Sequence, residues 1–310
     1  MEGCFHAHDP RFAEVTGPDP RLELVIVTAA HEGPVHAADE AALYVTAAAG
    51  VRRIDLDGGR FPLPAAAATT LSADVTNPNG MTMDHEGRLV VCEQGSLERP
   101  ARISRLDRRT GEVEPVVEGV DGAPLNSPND VVVDGDGAVW FTDPAYGHLQ
   151  GFRPPPALAD RVYRHDPADG RTAPVADGFD KPNGLALSPD GRTLYVGDSG
   201  ADGGVAGGFD PGRPHWIDAW DVARGGALSR RRRFGVPAAG VPDGMAVDVG
   251  GRLYSSFAGG VEVRAQDGAV LGEIRLPGAV NLTFGGPDRD LLLITADTAV
   301  WAARLTTQGA

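Results

Sequence analysis

NDVVVDGDGAVWF, residues 129–141, is the stretch that decides the fold. An oxygen-bearing side chain, Asn129, precedes the apolar run Val131-Val132-Val133; Asp136-Gly137 follows, and then a second run from Ala138 to Phe141. Glycine accepts the positive φ of a tight turn, so the stretch reads as two antiparallel strands joined by a hairpin. Related copies begin at Glu32 (EGPVHAADEAALYV), Asn79 (NGMTMDHEGRLVV), Asn183 (NGLALSPDGRTLYV), Asp243 (DGMAVDVGGRLYS) and Asn281 (NLTFGGPDRDLLLI). They lie 38 to 60 residues apart. A period of roughly 40 to 50 residues with several short strands per unit marks a β-propeller.

Further runs after each hairpin, such as Arg161–His165 and Ala173–Val175, supply third and fourth strands. The expectation is therefore an all-β chain: one six-bladed β-propeller with four-stranded antiparallel blades around a central channel. No linker-like break interrupts the repeats, so residues 1–310 read as a single domain, with 1–22 an N-terminal arm packed on the first blade of the ring. Two stretches break the rhythm. Residues 144–160 hold Pro154-Pro155-Pro156 and residues 199–214 hold six glycines, and both read as rim loops placed to cover a site.

Composition narrows the function. Only 6% of residues are aromatic, and a formal charge of −15 argues against nucleic acid, whose backbone is met by clustered Lys and Arg. The one basic run, Arg230 to Arg233, reads as a solvated face or edge strand. Cys4 and Cys92 are too few and too far apart for a disulfide framework and read as free thiols. No apolar run is long enough for a membrane span, and a cytoplasmic protein, monomer or weak homodimer, is expected.

In a propeller, equivalent positions on successive innermost strands converge on one level of the channel. Glu32, Asn129, Asn183 and Asp243 then offer two carboxylates and two amide carbonyls, an all-oxygen set suited to one hard divalent cation. Ca²⁺ is favoured, although Mg²⁺, Mn²⁺ and Zn²⁺ also accept oxygen. A carboxylate in such a channel is costly unless a cation or donors compensate, whereas Asn79 and Asn281 read as turn formers. There is no CxxC, HExxH or GxSxG pattern. Among the histidines, His31 and His36 flank Glu32 and His148 lies in the Pro-rich loop, which makes these three candidates to face a substrate.

The segments HEGPV (31–35), NGMTMDHEGRLVVCEQG (79–95), NSPNDVVVDGDGAVWFTDPAYG (126–147), KPNGLALSPDGRTLYVGDSG (181–200), VPDGMAVDVGGRLYSS (241–256) and NLTFGGPDRDLLLIT (281–295) together resemble the gluconolactonase, senescence marker protein (regucalcin) and luciferin-regenerating enzyme family, in its bacterial gluconolactonase branch. The resemblance implies that Glu32, Asn183 and Asp243 hold a catalytic divalent metal, with Asn129 as a fourth or water-mediated ligand and Asp243 as general base. Metal-dependent opening of a lactone, a sugar-type aldonolactone foremost, is the activity it implies, with Asp243 and Asn129 catalytic. Ser127, Tyr146, His148 and His31 are the expected substrate-pocket residues. The chain departs from the family at His36, where an aromatic residue is common, at Ser127, an Arg in the animal branch, and at Gln94, where bacterial relatives carry His. Another electrophile at the same metal, a non-sugar lactone or a phosphotriester, and a non-catalytic calcium-binding propeller are the alternatives.

Overall fold

The computed structural model describes residues 3–56 and 60–310. Six antiparallel sheets follow one another as the blades of a propeller, and their innermost strands begin within two residues of the marked residues. These strands are Glu32–Ala37, Pro78–Met83, Val131–Val133, Pro182–Leu187, Met245–Val247 and Asn281–Gly285, on blades one to six. Blade three shows the pattern: Val131–Val133 pairs with Val139–Asp143, then Arg161–Asp166, then Arg171–Ala176 on the outside.

The last blade closes the ring. Its outermost strand is Leu22–Val27, from the other end of the chain, paired antiparallel with Ala299–Arg304. The N-terminal arm does not rest on the first blade, as expected from sequence order. Phe5–Ala7 instead adds a fifth strand to blade five, pairing with Val270–Arg275, and Phe12 and Val15 are buried between blades five and six. Apolar burial explains the choice: these side chains complete the wedge that includes Tyr254, Leu282 and Phe284, where the Tyr254 and Phe284 rings meet edge to face at 5.2 Å.

The apolar core is divided in the same way throughout. Each pair of neighbouring blades shares one buried cluster, such as Val90, Cys92 and Ile103 of blade two with Val131, Phe141 and Tyr163 of blade three. Side chains on alternate strand positions fill these wedges because both faces of every blade are covered by a neighbour. Cys4 and Cys92 are buried free thiols. Arg230 to Arg233 lie on Leu228–Gly235, the exposed outer strand of blade four, where Arg231 and Arg233 both pair with Asp218. That is the edge placement expected of a clustered charge.

At the axis there is no apolar wedge, and the blades meet backbone to backbone. The glycine of each Asn-Gly or Asp-Gly pair makes this possible. A Cβ on Gly80 would sit 2.5 Å from the Asn129 carbonyl oxygen, one on Gly184 would sit 2.0 Å from that of Asp243, and one on Gly244 would sit 2.6 Å from the Asn281 Cα. Gly80, Gly184 and Gly244 do not have positive φ, so they are kept for space and not for a turn. The Gly80 and Gly244 N–H groups donate to the carbonyls of Asn129 (2.7 Å) and Val280 (3.0 Å) on the next blade.

Substituting Gly184 by Ala should therefore cost at least about 2 kcal/mol, because the obstructing atom belongs to a backbone that cannot rotate aside. Gly135, with nothing within 4 Å of its added Cβ, serves as control. Chemical denaturation should place Gly135→Ala within about 0.5 kcal/mol of the parent, and equal stability of the two variants would contradict close packing at the axis.

Candidate active site

Register places the functional side chains. The first regular ladder pairs on blades two to five after the marked residues are Met81↔Val91, Val131↔Phe141, Leu185↔Val196 and Met245↔Ser255. Asn79, Asn129, Asn183 and Asp243 each stand two positions earlier, and each is preceded by a proline: Pro78, Pro128, Pro182 and Pro242. Blade one differs. Glu32 stands three positions before Val35, with an irregularity between them and Gly33 at φ +54°. One more residue separates Glu32 from the first regular pair of its blade, and its side chain is a carboxylate one methylene longer than that of Asp243.

Carboxylates anchor the backbone behind this ring. The second strands of blades two, three and four end in Glu93, Asp143 and Asp198, which accept N–H bonds from the segment leading into the inner strand: Thr76 (2.8 Å) to Glu93, Asn126 and Ser127 (2.9 Å each) to Asp143, and Lys181 (2.9 Å) to Asp198. Burial pushes Asp143 up to about 7, while those two N–H bonds pull it down. Hydroxyls knit the ring from blade to blade: Thr46 donates to the Asn79 carbonyl (2.9 Å), Thr142 to that of Asn183 (2.9 Å) and Ser199 to that of Pro242 (2.6 Å).

The side chains of Glu32, Asn183 and Asp243 interact. Burial raises the carboxyl pKa values of Glu32, Asp130 and Asp243, and the charge of Glu32 adds to the rise at the other two. A hydrogen bond from Asn183 partly offsets the rise at Asp243. Glu32 Oε2 accepts from Asn281 Nδ2 (2.6 Å) and from the Gly33 N–H (3.0 Å). Asn183 Nδ2 donates to Ser199 Oγ (3.3 Å) and, more weakly, towards Tyr146 Oη (3.4 Å). Burial pushes the Tyr146 phenol well above its ordinary range, so its hydroxyl keeps its proton and can donate.

Two acceptors are left bare: Asn79 Oδ1 and Asn183 Oδ1 are buried without a hydrogen-bond partner. Such an oxygen carries a desolvation cost until a donor or a cation reaches it. Together with the neighbouring carboxylates this donor chemistry fits a hard divalent cation. Among the described residues no three His, Cys, Asp or Glu side chains form a metal-holding group by themselves, so such a site depends on the amide oxygens.

The ring divides the channel. On one side Asp243, partly open to solvent, lines a cavity of about 340 Å³ with Asp202, Phe209, Val241, Phe257 and Ala279. On the other side the inner strands of all six blades surround a space of about 760 Å³, whose walls include Val35, Met81, Val131, Leu185, Met245 and Leu282.

Several expected pocket residues have other tasks. Ser127 is fully buried; its hydroxyl donates to the Pro144 carbonyl (2.6 Å) and accepts from the Gly147 N–H (2.9 Å). It braces the turn that carries Tyr146. His148 is exposed on the short helix Tyr146–Leu149. His31 is exposed and bound to Asp297 (2.6 Å), from where its charge lowers the Glu32 pKa. His36 lines the far part of the channel. Asn79 and Asn281 are not turn residues: both are buried on inner strands. Sequence reasoning misses Asp130; its signal is Asn129-Asp130 where four other blades have a glycine.

A family model described as the SMP-30/Gluconolactonase/LRE-like region matches residues 30–298. The chain belongs to this family. Gluconolactonase of Zymomonas mobilis is 34% identical over 235 residues, which is 72% of this chain and 62% of that relative, so the match spans less than two thirds of the relative's length. Pentonolactonase XacC of Haloferax volcanii is 30% identical over 273 residues, 85% of this chain and 80% of the relative. Among solved structures, a gluconolactonase of Xanthomonas campestris superposes with a TM-score of 0.82 at 36% identity, covering 97% of this chain and 94% of that one.

Replacing Ser127 by Ala removes the donor to Pro144 and leaves the buried Gly147 N–H unpaired. The expected loss is about 1–3 kcal/mol of unfolding free energy. A variant as stable as the parent in urea would remove Ser127 from the role of brace.

Proposed function

We propose that this protein hydrolyses lactones to hydroxy acids at the axial ring, with aldonolactones as the substrate type and one divalent cation, Ca²⁺ foremost, as cofactor. The observation that carries the reading is the bare Asn183 carbonyl oxygen grouped with the buried Glu32 carboxyl and the half-buried Asp243 carboxyl, of which Asp243 lines an open cavity. The names of the relatives from Zymomonas, Haloferax and Xanthomonas support the reaction type.

Glu32, Asn183 and Asp243 would hold the cation, with Asn129 on the neighbouring blade as a fourth oxygen. When bound there, a divalent cation supplies positive charge that polarises the lactone carbonyl and stabilises the negative charge developing on its oxygen. The protein's own groups manage protons and orientation. Asp243 takes a proton from the attacking water as the water oxygen bonds to the carbonyl carbon. The ring C–O bond then breaks, and the proton passes to the departing ring oxygen, which becomes the hydroxyl of the product. Asn281 holds Glu32 through Oε2, and the Tyr146 hydroxyl, kept protonated by burial, offers a hydrogen bond beside Asn183. Val241, Phe257 and Ala279 line the cavity beside Asp243.

General-base catalysis contributes about 10² to 10⁴-fold, so Asp243→Asn should lower kcat by that range while the unfolding transition persists. An undiminished kcat in a folded variant would refute the role. Exhaustive dialysis against a chelator should abolish hydrolysis of an aldonolactone, and added Ca²⁺ should restore it. Full activity in a preparation that elemental analysis shows to be metal-free would exclude the cation.

A further inference from the structure

Asn79 is the ring member for which the proposed hydrolysis has no use. It occupies the same register position as Asn129, Asn183 and Asp243, two residues before the first regular ladder pair of its blade. It is only 7% exposed, and its Oδ1 is buried with no hydrogen-bond partner. The backbone cannot carry the side chain elsewhere: the Asn79 carbonyl accepts from Thr46 Oγ1 at 2.9 Å, and the next N–H, that of Gly80, donates to Asn129 O at 2.7 Å. A bare acceptor held this firmly at the level of the reacting groups is a binding element waiting for a donor.

The reading above gives the cation to Glu32, Asn129, Asn183 and Asp243, so Asn79 Oδ1 is left for another partner. Asn79 is itself a neutral amide, and Asp130, a further buried carboxyl, stands on blade three. An amide carbonyl needs an N–H or O–H, and an unsubstituted lactone has neither, since its only polar atoms are the two ester oxygens. A ring hydroxyl supplies a donor for Oδ1 and also an acceptor for an amide N–H.

We propose that Asn79 binds a hydroxyl group of the substrate and so makes this protein selective for hydroxylated lactones over bare ones. The assignment rests on the lactone reading above and specifies which substrates its site prefers. A site that buries an unpaired acceptor disfavours a ligand lacking the matching hydroxyl, because the acceptor has lost its water and gains nothing in return.

The test compares kcat/KM for glucono-δ-lactone with that for δ-valerolactone, the same ring without hydroxyls, in the wild-type protein and in Asn79→Leu. The ratio of the two values should fall by about tenfold or more in the variant, the worth of one buried hydrogen bond, whatever common factor the substitution imposes on both substrates. Asn79→Ser, which keeps a short acceptor, should give an intermediate ratio and serves as the readout if the Leu variant does not fold. An unchanged ratio in a folded variant that still turns over overturns the assignment of Asn79 alone. Turnover of neither lactone by the wild-type protein overturns the hydrolase reading, and this assignment with it.

Discussion

Six inner strands can converge on one axis only if their backbones touch, and that contact is the constraint on which the rest of this structure depends. Side chains elsewhere in the blades are spaced by sheet packing at about 10 Å, but at the axis the neighbour's backbone lies within van der Waals reach of the Cα itself. Gly80, Gly184 and Gly244 meet this requirement, and a methyl group at any of them would overlap a carbonyl or side chain of the next blade. The residue just before each glycine is thereby forced to the same level as its counterparts. Close packing and convergence of the functional oxygens are one geometric event.

The second consequence is an energetic imbalance. The apolar wedges between blades supply favourable burial, whereas the axial ring holds carboxyls whose pKa values burial has raised and amide oxygens with no partner. Buried polar groups of this kind oppose folding unless something satisfies them. The structure offsets part of the cost locally, through Asn281 at Glu32 and through the N–H groups that Glu93, Asp143 and Asp198 collect. What it leaves unsatisfied, on Asn183 and Asn79, is the remaining part of that cost.

The repeat made the ring and its blade count legible in the sequence, because hairpin turns and β-runs are local features that survive without knowledge of packing. The meaning of the glycines was not local. An Asn-Gly pair looks the same whether the glycine bends a turn or admits a neighbouring backbone, so Asn79 read as a turn former although it lies on an inner strand. Asn281 was misread for a related reason: its partner, Glu32, is 249 residues away. Ser127 reads from the resemblance as a pocket residue, but its hydroxyl is spent on Pro144 and Gly147. The arm was misplaced because sequence order suggests the first blade, whereas the gap it fills is between the fifth and sixth.

The strand Leu22–Val27 seals a sheet whose other members begin at Asn281. A ribosome therefore makes Leu22–Val27 well before the strands it pairs with, and Glu32 has to wait for Asn281 to emerge before its carboxylate is held. No early fragment can possess a finished centre. The axial ring is complete only once the strands of both the first and the sixth blade have been made.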